Sequence, residues 1–164
     1  MTAYILDVEN TTCRHHDKLH LDPFEPSNTL TMVGMQRVDD GRQLRLPFDH
    51  SEAQDMDGTN HKRIQSTLDR CTLLIGHNLQ HDLMWLWECG FKYDGSVFDT
   101  LLVEYVLQRA VKQPLSLDAV AERYSLDNQK MSTLSEYLKK GTSVDEVPKD
   151  ELLEYCLQDV RTPV

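Results

Sequence analysis

The sequence predicts an α/β protein with one mixed β-sheet flanked by helices. Three observations carry that expectation. A short apolar run, AYILDV, occupies residues 3–8; a hairpin-like pair of segments follows it; and from residue 61 onward helical and strand-like segments alternate. With 164 residues there is room for one domain, read as residues 1–164, which buries roughly 70% of the surface that its unfolded form exposes.

Residues 3–8 read as the first strand. Residues 13–28 (CRHHDKLHLDPFEPSN) hold two prolines and many polar groups, which argues for a loop rather than a helix or strand. TLTMVGMQRV (29–38) and RQLRLPF (42–48) flank the turn residues Asp39-Asp40-Gly41 and read as a β-hairpin. The polar stretch 49–60 reads as loop, HKRIQSTLDR (61–70) as a short helix, and TLLIG (72–76) as a buried strand. A helix opening near Asn78 has apolar residues at 79, 83, 86 and 87, and a short strand is expected at Val97–Phe98. Asp99 or Thr100 is placed to cap TLLVEYVL, and Ser116 to cap LDAVAERY. Met131–Lys140 reads as a helix ended by Gly141. Pro148 and the acids at 150 and 151 suit the first turn of a last helix running through Asp159.

Charge narrows the function. The 17 basic and 27 acidic side chains give a net charge of −10, split evenly at −5 for each half of the chain. That excludes a non-specific nucleic-acid coat, which needs a basic stripe, but leaves room for an enzyme that grips a few nucleotides around metal ions. No apolar run approaches the roughly 20 residues of a membrane span, and MTAYILDVEN has neither a basic start nor a long apolar core, so a soluble cytoplasmic protein without membrane association is expected. Cysteines 13, 71, 89 and 156 form no CxxC pair, against a structural zinc cluster; Cys71 and Cys156, among apolar neighbours, read as buried reduced thiols.

Three short patterns contain the chemistry. In Leu6-Asp7-Val8-Glu9 strand alternation puts both acids on one face, about 7 Å apart, a costly arrangement unless a cation compensates it. In His77-Asn78-Leu79-Gln80-His81-Asp82 the residues Asn78 and Asp82 are four apart on a helix; Asn78 also stands where an N-cap belongs. His77 and His81 have the spacing of a zinc helix but lack the glutamate that follows the first His in that motif. In Tyr155-Cys156-Leu157-Gln158-Asp159 an acid sits near a helix C-terminus, where the macrodipole disfavours it.

In this order the three patterns resemble the DxE, NxxxD and YxxxD motifs of the DEDD (DnaQ-like) superfamily of 3′→5′ exonucleases, and specifically its tyrosine branch: the position five before the final acid is Glu154, where the histidine branch has His. GHNLQHDLMWL, VFDTLLVEYVL, LSLDAVAERY and ELLEYCLQDV are similar to segments of the proofreading exonuclease domain of family A DNA polymerases and their phage relatives, and the likeness runs from Tyr4 to Asp159.

The resemblance implies a ribonuclease H-like sheet and a metal-dependent 3′→5′ exodeoxyribonuclease acting on single-stranded or frayed DNA 3′ ends. It implies that Asp7, Glu9, Asp82 and Asp159 hold two divalent ions, Mg²⁺ or Mn²⁺, whose charge the four carboxylates balance, and that the Tyr155 hydroxyl orients the attacking water. Asn10, where the polymerase domains have Thr, and Asn78 become candidates for contacting the terminal nucleotide. Lys62, Arg63, Arg109, Lys112, Lys139 and Lys140 are the few cations that could track a strand, and His15/His16 lie in a loop just after the first acids. A DNA polymerase, in cis or in trans, is the expected partner, and a bacterial or phage-infected cytoplasm the expected setting. Two rivals stand beside this reading: an exoribonuclease of the same superfamily, distinguished by contacts at the 2′ position, and a non-catalytic nucleic-acid or partner-binding module on the same fold.

Overall fold

The computed structural model describes residues 2–15, 18–109, 111–126 and 133–161. Ala3–Asn10 form the central strand, β1, and its alternation organises the layers around it. Leu6 and Val8 point into one apolar cluster, Ala3 and Ile5 into a second on the opposite face. Cys13–His15 (β2) and Lys18–His20 (β3) follow as a small antiparallel pair, then Leu30–Arg37 (β4) and Gln43–Pro47 (β5) as the expected hairpin. Asp49–His50 (β6) and Ala53–Gln54 (β7) pair with each other before the helix Thr59–Leu68 (α1). Then come Leu73–Gly76 (β8), Leu79–Glu88 (α2), Ser96–Asp99 (β9), Thr100–Leu107 (α3) and Leu117–Arg123 (α4). Thr133–Lys139 (α5), a 3-10 turn at Val144–Glu146 and Lys149–Arg161 (α6) close the order.

The main sheet has five strands in the order β5-β4-β1-β8-β9. β4 and β5 run antiparallel to their neighbours while β8 and β9 run parallel to β1, so the sheet is mixed, as the sequence leads one to expect. This is the ribonuclease H-like α/β arrangement. On one face α1 and α2 cover Leu6, Val8, Val33, Met35 and Leu74 with Ile64, Leu68, Leu83, Trp85 and Leu86. On the other, Leu157 and Val160 of α6 pack on Ala3, Ile5 and Ile75, and Leu134 of α5 joins Leu152 over Met32. Each buried aliphatic side chain of this size contributes about 1.5–3 kcal/mol, so the sheet and both helical layers stand or fall together.

The caps fall largely where expected. The Asp99 side chain accepts from the Leu101 N–H at 2.9 Å and the Ser116 hydroxyl from the Ala119 N–H at 3.4 Å. Two expected loops contain short strands instead: β2 and β3 inside 13–28, and β6 and β7 inside 49–60. Pairs of two or three residues are too short to show a hydrophobic period, and they form because local backbone pairing satisfies N–H and C=O groups. Met131, where a helix was expected to begin, lies outside the described residues, as do His16 and the side chain of His15. Cys71 and Cys156 are buried, and all four cysteines are free thiols. No helix among the described residues is long and apolar enough to cross a membrane.

Candidate active site

Three elements meet at the end of β1. Asp7 and Glu9 stand on the face of β1 that carries Ala3 and Ile5, and therefore look toward α6. The register with β4 slips between Glu9 and Asn10, where Thr31 of β4 is the extra, unpaired residue of a bulge. Asn10 turns inward and is only 7% exposed. Its Nδ2 donates to the Thr11 carbonyl at 2.7 Å and its Oδ1 accepts from His81 Nε2 at 3.0 Å, so both ends of the amide are engaged.

Asp82 arrives from the first turn of α2. It is buried, and its Oδ1 accepts the backbone N–H of Val8 at 3.0 Å, which ties the acid to the strand between Asp7 and Glu9. Asn78 holds the N-cap position of α2 in the left-handed region at φ 64°, but its side chain makes no cap bond and the residue is exposed. Its backbone N–H donates instead to Asp99 Oδ1 at 3.0 Å, the same oxygen that caps α3. His77 precedes the helix, with Nδ1 on Thr100 Oγ1 at 2.9 Å and Nε2 on the Leu115 carbonyl at 2.7 Å. His77 and His81 therefore do not share a helix face, and the zinc-helix spacing has no structural counterpart.

Tyr155 and Asp159, one turn apart on α6, face the same cleft. Asp7, Glu9, Asn10, His81, Tyr155 and Asp159 line this space of about 600 Å³, and Leu134, Leu138 and residues 141–144 form its far wall. A larger cavity of about 690 Å³ between Phe24, Phe48, His61 and Trp85 holds none of the motif acids, so volume does not mark the chemistry. Asn78 does not line the cleft.

Packing this many acids together has an electrostatic cost. Burial first, then the neighbouring charges of Glu9, Asp82 and Asp159, hold the Asp7 carboxyl well above the usual carboxylate range. Glu9 is pushed up to about 8 by burial and then by Asp159 and Asp82. Asp82 is pushed up to about 8, burial outweighing the Val8 N–H that favours its ionised form. The Tyr155 hydroxyl is pushed up by burial and then by Asp159, Glu9 and Asp7, so it stays protonated and able to donate at neutral pH. Ion pairs among the described residues lie elsewhere, such as Arg37–Asp39 and Arg45–Glu154, and none involves Asp7, Glu9 or Asp82.

A divalent cation fits this arrangement. Asp7 Oδ2 is buried with no hydrogen-bond partner, and the adjoining acids offer hard oxygen donors whose repulsion a cation would relieve. Residues 48–163 match the sequence profile of the 3′-5′ exonuclease family. The chain belongs to that family. Exonuclease domains of this superfamily use divalent metals. No curated protein matches the chain significantly.

Solved structures agree on the fold. NrnC of Brucella melitensis, bound to pGG, superposes with a TM-score of 0.60 at 19% identity over 96% of this chain and 66% of that one. The apo form of a nuclease gives 0.60 at 20% identity over 96% and 66%. The family B DNA polymerase of the hyperthermophilic archaeon Pyrobaculum calidifontis gives 0.60 at 16% identity over 98% of this chain and 23% of the polymerase. The chain thus spans about two thirds of the nucleases and about a quarter of the polymerase. Together with the profile match, these neighbours support a DnaQ-like exonuclease fold for the chain. Two residues at the site escaped sequence reasoning in their present roles. His81 meets Asn10 across 71 positions, and Cys156 was read only as a core thiol.

Proposed function

We propose that the protein is a metal-dependent 3′→5′ exodeoxyribonuclease of the tyrosine branch, related to the proofreading domains of family A polymerases and acting on single-stranded or frayed DNA 3′ ends. The observation that carries the reading is the meeting of Asp7, Glu9, Tyr155 and Asp159 on one cleft with Asp82 bonded behind them to Val8. Asp7, Glu9, Asp82 and Asp159 hold two divalent ions, Mg²⁺ or Mn²⁺. Ions so held supply the positive charge that activates the attacking water and stabilises the departing 3′ oxygen.

The chain's own groups do the rest. Tyr155, kept protonated by burial and then by its acidic neighbours, orients the water from its place beside Asp159. Asp82 fixes the end of β1 through Val8 and so sets where Asp7 and Glu9 point. Asn10, which lines the cleft with its amide held by Thr11 and His81, and Asn78, exposed at the start of α2 outside the cleft, are the candidates for contacting the terminal nucleotide. With a net charge of −10 the protein has little long-range pull on a duplex, which suits a short single-stranded end and a partner polymerase, in cis or in trans, that delivers it.

A second reading, an exoribonuclease on the same site, is favoured by the likeness to NrnC bound to pGG. Matched DNA and RNA oligonucleotides labelled at the 5′ end and incubated with Mg²⁺ or Mn²⁺ decide between them. A ladder on DNA that Asp82→Asn abolishes is the expected result. A ladder on RNA alone transfers the activity to the second reading, and no ladder on either overturns both.

A further inference from the structure

Cys156 is a ligating side chain beside the acids that phosphodiester hydrolysis does not use. Its Sγ, a carboxylate oxygen of Asp7 and a carboxylate oxygen of Glu9 all lie within 4.8 Å of one another. The sulfur is not free to swing away. It lies 3.7 Å from the Asp7 carbonyl, and the space beneath it is so tight that a Cβ on Gly34 would approach it to 2.6 Å. Asp7 Oδ2 is buried without a hydrogen-bond partner, so an acceptor in this corner lacks the donor or cation that would satisfy it.

A thiol changes which cation such a corner prefers. Carboxylates alone suit Mg²⁺ and Mn²⁺, whereas a thiolate beside them selects ions with affinity for sulfur. Zn²⁺ takes Cys sulfur at about 2.3 Å and carboxylate oxygen at about 2.0–2.2 Å, and three protein ligands plus water complete its usual tetrahedron. Asp7, Glu9 and Cys156 need shift by only about an ångström to surround it, because ligands at those bond lengths stand about 3.3–3.8 Å apart.

We propose that Asp7, Glu9 and Cys156 form a capture site for a thiophilic divalent ion, Zn²⁺ in the cell, whose occupancy excludes the hard ions that Asp7 and Glu9 otherwise hold and keeps the nuclease idle. The inference rests on the reading of Asp7 and Glu9 as ligands of the hydrolytic metals. In the capture step the thiol S–H bond breaks, its proton passes to solvent, and a sulfur–metal bond forms with loss of water from the ion; nothing is oxidised or reduced. A chelator reverses the step and restores the site.

The test uses the full chain with Co²⁺ as a spectroscopic stand-in for Zn²⁺, in the absence of Mg²⁺. The expected result is a near-ultraviolet sulfur-to-cobalt charge-transfer band, saturating at one ion per chain, that Cys156→Ser abolishes and Asp7→Asn weakens at least about tenfold in affinity. Cys156→Ala is the second variant should the serine hydroxyl disturb the packing. Zn²⁺ is expected to suppress the Mg²⁺-dependent ladder of the wild type at a concentration at least about tenfold below that needed for the Cys156 variant. Absence of the band in the wild type, or its survival in the Cys156 variants through Cys13, Cys71 or Cys89, overturns the proposal. The band does not depend on hydrolysis, so a chain that binds Co²⁺ through sulfur yet cuts nothing would sink the nuclease reading and not the capture site.

Discussion

A Cβ added to Gly34 would stand 2.6 Å from the Sγ of Cys156, and this contact is where α6 rests on the sheet. Gly34 pairs with Asp7 across the β1–β4 ladder, so the same point fixes the height of Tyr155 and Asp159 above the first acid.

Gly34→Ala is therefore expected to cost about 1–3 kcal/mol of stability, the usual range for overpacking, and to lower activity by more than that loss explains, because α6 carries Asp159 away from Asp7. Adding Cys156→Ala should recover much of both. Urea unfolding and single-turnover cleavage on the four members of the mutant cycle check it; strict additivity would show that the contact does not set the site.

Asp82→Asn keeps an oxygen for the Val8 N–H but removes a charge from the metal set. Cleavage is expected to fall by well over a hundredfold, beyond the range for residues that merely support ligands, with the melting temperature of the metal-free protein unchanged or higher. Asp82→Ala would also strand the buried Val8 N–H, at a further cost of about 1–3 kcal/mol. An Asn variant that cuts at the wild-type rate would remove Asp82 from the mechanism.

The raised carboxyls give the metal-free protein an unusual pH dependence. In the unfolded chain Glu9 and Asp82 return to ordinary values of 4.5 and 3.8, while in the fold they release their protons only near 8. Between those values unfolding releases protons, so their contribution to stability is highest at the acid end and is lost as pH rises toward 8. In EDTA the melting temperature should fall by about 3 °C or more between pH 5.5 and 7.5, a slope that Glu9→Gln flattens. Millimolar Mn²⁺ should restore stability at pH 7.5. A melting curve indifferent to both pH and metal would contradict a shared carboxylate site.

Tyr155→Phe removes one hydroxyl and no metal ligand. The expected outcome is a roughly 10- to 100-fold lower cleavage rate with the concentration of Mn²⁺ for half-maximal activity unchanged. A shift in that concentration would mean that the tyrosine helps to bind metal.

Asp99 Oδ1 serves two N–H groups, those of Asn78 and Leu101. Asp99→Ala should cost about 1–2 kcal/mol, as loss of a helix cap does, and loosen the start of α2, whereas Asp99→Asn retains the oxygen and most of the stability. Thermal unfolding of the two variants separates the cap from the charge.

Much of this was legible in the sequence because it is local. Alternation along β1 places Asp7 with Glu9, helical spacing places Tyr155 with Asp159, and Asp99 and Ser116 announce their own caps. What was not legible depends on contacts between distant residues or on backbone geometry. Asn78 has the identity of a side-chain cap, yet its left-handed φ turns it out to solvent and Asp99 takes up its N–H. Asn10 lies on the buried face of β1 with Leu6 and Val8, and its bond to His81, 71 positions away, cannot be read from local spacing. Cys156 is ordinary in a helix heptad; only the glycine opposite it, on a strand more than a hundred residues earlier, brings its sulfur to the acids.

The acids of the site come from opposite ends of the chain, Asp7 and Glu9 on β1 and Asp159 on α6. On a ribosome that synthesises 5–20 residues per second, roughly 8–30 s separate the emergence of Glu9 from that of Asp159. Throughout that interval the nascent polypeptide carries an incomplete set of these acids. On the proposed reading the acids form one site only once α6 has docked on the sheet, so Asp7 and Glu9 wait for a partner made about 150 residues after them.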